Sequence, residues 1–455
     1  MGRQVRPFNV SHGDIFRIAL PASIAFITEP LVGIVDITVI GRLGDAGLLG
    51  GLELGAVTFS LVFSMAFFLR LGTAGLTAQS VGAQRGNDII AHLLRASMLG
   101  IGLGLLLLVS SPLVQMLGLL LFAPPSMGVE TAFLQYLQIR MWSAPFVLLN
   151  FVFLGWFYGR GRAKTGMALQ IGLNSINIIL SIWLVYGFGL GVAGVAWGTV
   201  VAEITITLMA TGIVLKEFSG NHHLGSKKFV QKILHKKDLW RLFDLSRDLM
   251  IRSAALMSAF AFFSAQMSRS GEINLAASAV LLNFMMVTAF FLDGQAQAAE
   301  FYCGKAMGAN YRPAFEKAWM LAALWGLAIG FVLFVVWLIA GPWLIDFITT
   351  NEEVRTGARQ YLFVAALISF SGVIAFVMDG VMTGATMNSL IRNGMLVSFA
   401  IYIAVAFMFQ EFFGLLGLWL ALNVFFVVRG TIFWFAVRAK LDKLFTVSQP
   451  GIRTH

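Results

Sequence analysis

The stretch IFRIALPASIAFITEPLVGIVDITVI, residues 15–40, decides the fold class. As a helix it is long enough to cross the ~30 Å hydrocarbon core of a bilayer. It nevertheless contains Asp36 and, two helical turns earlier on nearly the same face, Glu29. An aspartate inside a membrane costs roughly 2.5–3.5 kcal/mol on insertion scales, and the cost is carried mainly where the group faces a cavity, a partner or an ion. The stretch therefore predicts a membrane helix that takes part in transport.

The composition of the chain supports a membrane protein. Of its 455 residues, 58% are hydrophobic and only 12% are charged. Only helices and closed barrels satisfy their backbone groups in lipid, and the apolar runs lack strand-like alternation. The one cysteine, Cys303, excludes an internal disulfide framework. The sequence predicts an all-α polytopic membrane protein, and no cleavable signal peptide is evident because the first apolar run is too long.

Twelve transmembrane helices are predicted, in two pseudo-symmetric six-helix lobes. They cover residues 14–41, 47–80, 88–119, 130–158, 163–187, 190–217, 241–269, 273–303, 313–340, 356–384, 388–410 and 413–438. We expect an N-lobe at 1–217, a basic cytoplasmic linker at 218–240, a C-lobe at 241–440 and a cytoplasmic tail at 441–455.

The distribution of Lys and Arg predicts the orientation, because cytoplasmic loops are enriched in both. With the N-terminus inside, the inner loops carry Arg85, the cluster at 160–164 and the lysines of the linker (Lys227, Lys228, Lys232, Lys236 and Lys237). Both termini are then cytoplasmic, in the inner membrane. The net charge of +10 serves orientation and contact with anionic lipid rather than nucleic-acid binding.

The two halves of the chain resemble one another. The second helix ends TAQSVGAQ (77–84) and the eighth ends CGKAMGAN (303–310), while GRLGD (41–45) matches SRSGE (268–272) and FFLR (67–70) matches FFLD (290–293). An even number of helices per half gives a parallel repeat, with a cavity between the lobes.

Polar side chains collect in the predicted N-lobe. On the fifth helix, Gln170, Asn174, Asn177 and Ser181 share one face, and Ser181 lies at a depth similar to that of Asp36. The fourth and sixth helices add Asn150, Thr199 and Glu203. Carboxylate, amide and hydroxyl oxygens suit a proton or a hard cation. Hydrogen bonding between helices is the alternative explanation, and it is weakest for Asp36.

The predicted C-lobe contains further embedded acids and bases. The acids are Asp293, Glu300 and Asp379, and the embedded cations are Arg70 of the N-lobe, Arg252 and Arg429. These cations either pair with the acids or line a cavity, and Glu300 is close enough to the inner surface to be simply solvated. Glu53 and Arg140, near the outer ends of their helices, are expected at the membrane interface.

Pro21 and Gly33 are candidate bending points of the first helix, because Pro21 leaves the carbonyl of Arg17 without a helical donor. A static kink is the alternative. No nucleotide-binding or catalytic metal-binding motif occurs in a structural context in which it could function. We therefore expect a transporter without a cofactor rather than an enzyme.

Together these residues resemble the multidrug and toxic compound extrusion (MATE) family, in its DinF-like branch. The resemblance rests on LP (20–21), VDITVIGRLG (35–44), GLTAQ (75–79), WSAP (142–145), LDG (292–294) and MDG (378–380). It implies two six-helix lobes and cation-coupled export by alternating access. It also implies that Asp36 is the essential ionisable group, that Asn150, Asn177 and Thr199 surround it, and that Pro21 is associated with bending.

The chain departs from this branch at Ser181, where close relatives often carry an aspartate. Loss of a carboxylate favours H⁺ over Na⁺ as the coupling ion, although Na⁺ at Asp36, Asn177 and Thr199 stays possible. The predicted function is a monomeric antiporter that exports lipophilic or cationic drugs, with Glu29, Asn174, Gln170 and Glu203 as candidates for the substrate cavity. The alternative is a flippase for a lipid-linked oligosaccharide or another amphipathic lipid, which requires a strongly cationic cavity.

Overall fold

The computed structural model describes residues 5–124, 126–218, 231, 233 and 235–445. Twelve of the described helices are long and apolar enough to cross a membrane, and we number them α1 to α12. The first six are His12–Gly41, Ala46–Gly82, Gly86–Val109, Met127–Gly159, Ala163–Gly187 and Gly191–Phe218. The last six are Ser246–Arg269, Glu272–Gly308, Arg312–Ile348, Glu352–Gly384, Asn388–Phe413 and Leu415–Phe445. The prediction of an all-α protein with twelve spans is confirmed.

The spans form two lobes, α1–α6 (the N-lobe) and α7–α12 (the C-lobe). We call the end of the bundle at which α1 begins the inner end, and the opposite end the outer end. Most of the predicted linker, including Lys227, Lys228 and Lys232, lies outside the described residues. The same holds for the predicted tail from residue 446 onward and for the side chains of Lys236 and Lys237.

Helix α1 begins with a capping box. The backbone N–H of Asp14 donates to Ser11 Oγ at 3.3 Å, and the N–H of Ser11 donates to Asp14 Oδ2 at 2.9 Å. These two bonds satisfy donors that the first turn would otherwise leave free. The helix then continues from His12 to Gly41 through both Pro21 and Pro30.

One predicted helix is wrong in its extent. The third helix was expected over 88–119, but α3 ends at Val109 and a separate short helix, Ser111–Phe122, follows. Pro112 lies in the first turn of that short helix. Proline has no N–H and its ring clashes with the preceding turn, so the chain breaks before it rather than continuing α3.

The internal repeat is visible in how α2 and α8 end. Gln84 and Asn310, which match in the sequence repeat, both have a positive φ, 54° and 51°. The following N–H groups close the same type of turn, with Arg85 donating to Ser80 O and Tyr311 donating to Ala306 O, each at 3.0 Å. Similar sequences therefore end the two helices with the same backbone geometry.

The lobes pack together at the inner end. Gln79 on α2 donates to the carbonyl of Gly384 on α10 at 2.9 Å and to Thr386 Oγ1 at 3.1 Å. One cluster of buried hydrophobic side chains extends through both lobes, whereas a second lies within the C-lobe. These contacts close the inner end of the bundle.

Candidate ion-coupling and substrate site

Asp36 lies in the outer half of α1 and is 8% exposed. Its Oδ1 atom is buried and has no hydrogen-bond partner among the described residues. Ser181 lies within hydrogen-bonding reach of the carboxylate, and the charge of Arg140 acts on it as well. The structure thus brings Asp36 and Ser181 together, as the equal depth of the two residues predicts.

A chain of hydrogen bonds runs from α5 to α6 beside Asp36. Ser181 Oγ donates to Asn177 Oδ1 at 3.1 Å, and Asn177 Nδ2 donates to Thr199 Oγ1 at 3.0 Å. The Thr199 hydroxyl donates in turn to the carbonyl of Val195 at 3.0 Å. Three of the predicted coupling residues are therefore joined in one chain of hydrogen bonds, and Ser181 brings that chain next to Asp36.

Asn150 belongs to a second group. Its Nδ2 donates both to the side chain of Glu203 and, at 3.1 Å, to the Glu203 carbonyl. Its Oδ1 accepts from Thr207 Oγ1 at 3.0 Å. Among the residues that the structure describes, no hydrogen bond joins this group directly to Asn177 or Asp36, so Asn150 contacts Glu203 rather than the Asp36 group. Thr207, which completes this group, was missed because a threonine one turn after Glu203 is common in membrane helices.

Deeper in the lobe, the polar stripe of α5 contacts α1. Gln170 Nε2 donates to Asn174 Oδ1 at 3.4 Å, and Asn174 Nδ2 donates to Thr28 Oγ1 at 2.7 Å. Glu29, the next residue on α1, is surface-accessible although protein surrounds it, and the charge of Arg70 acts on it. An exposed acid that feels the charge of Arg70 suits a substrate cavity, and the role of Glu29 there stays a prediction.

Arg70 is held by aromatic rings rather than by a close ion pair. Its guanidinium carbon lies 4.5 Å from the ring centre of Phe26, 5.1 Å from that of Phe67 and 5.2 Å from that of Tyr158. Among the described acids, Glu29, Asp293 and Glu300 feel its charge. The interpretation of Arg70 as a simple ion-pair partner is therefore incomplete, because cation–π contacts surround it.

Arg140 corrects the prediction of an interfacial side chain. It is 6% exposed and lies over the ring of Phe59 at 3.8 Å, with Nη1 donating to Ser143 Oγ at 2.8 Å. The helix turns at Trp142 and Ser143, and this turn holds the guanidinium inside the lobe. A count of charges could have indicated that Arg140 is buried. The N-lobe contains three embedded acids, and Arg70 was the one embedded cation assigned to it. Glu53, by contrast, is exposed.

In the C-lobe two arginines converge on one acid. Asp379 Oδ2 accepts from Arg252 Nη2 at 2.8 Å and lies 3.1 Å from Arg429 Nη2. Arg429 is 1% exposed and its Nε and Nη1 have no hydrogen-bond partner among the described residues. The pairing interpretation holds for Arg252 and Arg429.

Glu300 is not solvated, contrary to the alternative that its depth suggested. It is 3% exposed and accepts from Gln297 Nε2 at 2.9 Å. It is buried because the inner end of α8 packs against α2 and α10 instead of facing solvent. Asp293, half-buried two turns earlier, feels the charges of Arg70 and Arg252.

The two bending candidates differ in their surroundings. Pro21 is buried, whereas Gly33 is exposed, and a Cβ placed on Gly33 would meet no atom within 4 Å. No described protein atom therefore crowds the Gly33 side of the outer half of α1.

The sequence matches the MatE family over residues 21–183 and 249–408. The chain belongs to this family. As a MatE protein it is a multi-pass transporter rather than an enzyme. DNA damage-inducible protein F of Escherichia coli K12 is 34% identical over 417 residues, which cover 91% of this chain and 90% of that protein. Multidrug export protein MepA of Staphylococcus aureus is 23% identical, with 89% and 88% covered.

Solved structures agree with the MatE fold. An outward-facing multidrug resistance MATE transporter of the MOP superfamily aligns with a TM-score of 0.84 at 17% identity, over 96% of this chain and 97% of that chain. MATE structures described as straight and as bent align about equally, with TM-scores of 0.82 and 0.83 at 18% identity. The straight structure covers 96% of this chain and 97% of its own, and the bent structure 95% and 96%. The fold therefore does not distinguish the two conformations.

Proposed function

We propose that this MatE protein is a proton-coupled antiporter that exports lipophilic or cationic compounds, with Asp36 as the coupling carboxylate. The observation that supports this most directly is the free Oδ1 of Asp36, a buried carboxylate oxygen without a partner among the described residues. A buried acceptor without a donor is costly, and protonation of the carboxyl removes the charge that makes it so.

The neighbouring oxygens favour H⁺ over Na⁺. Na⁺ requires several oxygen ligands at once, and we expected Asn177 and Thr199 to supply two of them. Asn177 Oδ1 already accepts from Ser181, and the Thr199 hydroxyl already accepts from Asn177 Nδ2. A proton needs only one carboxylate oxygen of Asp36, whereas Na⁺ needs several oxygen ligands and finds a neutral hydroxyl at Ser181 in place of a second carboxylate.

Protonation would couple to substrate in a defined direction. With Asp36 ionised, the N-lobe attracts a cation. A proton arriving from the outside neutralises Asp36, weakens that attraction and turns the carboxyl into a donor toward the neighbouring Ser181 hydroxyl. Helix α1 then bends between Pro21, which leaves Arg17 O without a helical donor, and Gly33, where an added Cβ would meet no atom within 4 Å. Bending narrows the pocket and releases the substrate outward.

The substrate class follows from the lining of the lobe and from the relatives. Glu29 supplies a negative charge inside the protein, and Gln170 and Asn174 provide polar groups on the facing helix. Aromatic and methionine side chains suit flat, lipophilic cations. The name of MepA as a multidrug export protein agrees with this assignment. We place both termini in the cytoplasm and the protein in the inner membrane as a monomer, with no cofactor beyond the transported ion.

The flippase alternative requires a strongly cationic central cavity. Asp379 neutralises part of the charge of Arg252 and Arg429, and aromatic rings enclose Arg70. The charges thus favour the antiporter. Drug resistance conferred on an efflux-deficient strain, measured beside the accumulation of lipid-linked precursors, separates the two functions.

The decisive experiment is ethidium transport by purified protein in proteoliposomes under separately imposed pH and Na⁺ gradients. We expect a pH gradient alone to drive exchange, and Asp36→Asn to abolish it. Glu53→Gln, an exposed acid of the same lobe, is the matched control and should retain transport. Full proton-driven exchange by Asp36→Asn would overturn the assignment.

A further inference from the structure

Arg140 occupies a defined position in the outer half of the N-lobe. Its guanidinium lies over Phe59 of α2 and donates to Ser143, and the Ser143 hydroxyl donates back to the Arg140 carbonyl at 2.7 Å. These contacts fix the side chain from two directions. Its Nε is buried and has no hydrogen-bond partner in the described part of the chain.

The groups that face Arg140 come from three helices. Asp36 on α1 and Glu203 on α6 both feel its charge, and each is 8% exposed. On its own helix, Tyr136 lies one turn earlier with its hydroxyl within reach. Neither acid forms an ion pair within 4 Å of Arg140 among the described residues, so the cation acts on both through the low-dielectric interior.

The charges of the lobe sort into two sets. Glu29 is paired electrostatically with Arg70, although it also influences Glu203. Asp36 and Glu203 remain with Arg140. If both acids are ionised, this second set holds one excess negative charge. Glu203 accepts a hydrogen bond from Asn150, whereas Asp36 keeps one oxygen without a partner among the described residues.

We propose that Arg140 is a positioning residue for the exchange, whose fixed charge balances Glu203 so that the pocket holds one exchangeable positive charge. That charge is either a proton on Asp36 or one monovalent cationic substrate, and the two therefore exclude each other. The proposal rests on the proposed antiport and deepens it, since it assigns the charge of the preferred substrate.

The test compares two phenanthridinium dyes that share a ring system, ethidium with one positive charge and propidium with two. The full-length protein in proteoliposomes transports each dye over a range of pH. We expect Arg140→Met to shift the preference from ethidium toward propidium. We also expect it to raise the pH at half-maximal exchange by roughly one unit, because a nearby cation no longer opposes proton binding.

If Arg140 acts through its charge, removing a nearby negative charge should compensate for its loss. If Arg140 acts only through packing, it should not. Arg140→Met/Glu203→Gln removes one charge of each sign, so it should restore both the dye preference and the pH midpoint of the wild type. Arg140→Lys should retain them without a second change. Arg95→Met, which removes another buried arginine at the inner end of α3, controls for lost stability and should leave the pH midpoint in place.

Two outcomes would overturn the proposal. One is a folded Arg140→Met with the wild-type pH midpoint and dye preference. The other is a folded double variant that stays as impaired as Arg140→Met, which would make the role of Arg140 structural. Folding is checked by melting in detergent. The Asp36→Asn variant tests the proposed antiport itself. If Asp36→Asn loses exchange but Glu203→Gln fails to rescue Arg140→Met, the antiport stands and only the role of Arg140 is rejected.

Discussion

Gly82 of α2 and Gly308 of α8 occupy matching positions in the two halves of the chain, and each lies against the backbone of the other's helix. A Cβ added to Gly82 would lie 2.9 Å from the N atom of Ala309, and one added to Gly308 would lie 2.9 Å from the N atom of Ala83. Carbonyl oxygens of Lys305 and Gln79 are closer still. The crossing is symmetric, and only glycine permits it at either position.

The first prediction concerns this crossing. Gly82→Ala or Gly308→Ala should open the inner end, because the new methyl group meets backbone that cannot move aside. Overpacking of this kind costs about 1–3 kcal/mol, which corresponds to a roughly 5- to 150-fold change in the ratio of closed to open protein. Cross-linking of cysteines placed on α2 and α8 at the inner end, in a Cys303→Ser background, measures that ratio.

Gly102→Ala on α3 is the matched control, since a Cβ there meets no atom within 4 Å. It should leave the cross-linking yield unchanged and stabilise its helix slightly. Equal cross-linking yields in Gly82→Ala and wild type would show that the crossing does not control the inner end.

The second prediction concerns Arg6, which joins the same two helices. Its backbone N–H donates to Ala309 O at 2.9 Å, and its guanidinium donates to Ala83 O, the matching carbonyl of the other lobe. Arg6→Ala removes only the second bond. A hydrogen bond contributes about 1 kcal/mol net, so the ratio of open to closed protein should rise about fivefold.

The same cross-linking assay checks this, with Arg85→Ala as the control, because that exposed arginine of the inner end pairs with Asp88 three residues along the chain rather than joining the two helices. A larger effect from Arg85→Ala than from Arg6→Ala would contradict the role of Arg6.

The sequence predicted the spans well because each one must supply about twenty apolar residues in a row. Where it failed, a local effect decided the structure. Pro112 divided the predicted third helix into two. The polar run at 219–230 lies outside the described residues, so the predicted linker there is not tested. The repeat was also predictable, since the matching Gln84 and Asn310 end their helices alike.

The candidate site was predictable along helix faces but not between helices. Periodicity placed Asn177 and Ser181 on one face of α5, and the structure joins them. It could not show that Asn150 bonds to Glu203, because that bond depends on how α4 packs on α6. Arg140 was misplaced for a related reason, since depth along a helix does not reveal which way the side chain faces.

The third prediction concerns the buried C-lobe cluster. Asp379→Asn should lower the melting temperature more than Arg252→Met. The first change leaves two buried guanidinium groups without their carboxylate, whereas the second leaves Asp379 paired with Arg429. Loss of one partner from a buried pair costs about 3–5 kcal/mol. Thermal melting of the purified proteins in detergent compares them, and a larger loss in Arg252→Met would show that Arg429 does not compensate.

The fourth prediction concerns Ser181, which lies beside Asp36 and is fully buried. Ser181→Asp supplies a second carboxylate at the point where the wild type has only a hydroxyl bonded to Asn177. Two carboxylates and the Thr199 hydroxyl make a stronger oxygen site for a hard cation. A Na⁺ gradient without a pH gradient should therefore drive ethidium exchange several-fold faster in this variant than in wild type.

Ser181→Asn separates charge from size, since it adds a side chain of similar volume without a negative charge. It should not gain Na⁺-driven exchange. The packing is tight here, because a Cβ on Gly198 would lie 3.0 Å from Ser181 Oγ. Both variants must therefore first be shown to melt near the wild-type temperature. If they do, and Ser181→Asp still does not respond to the Na⁺ gradient, the hydroxyl at position 181 is not what determines the coupling ion.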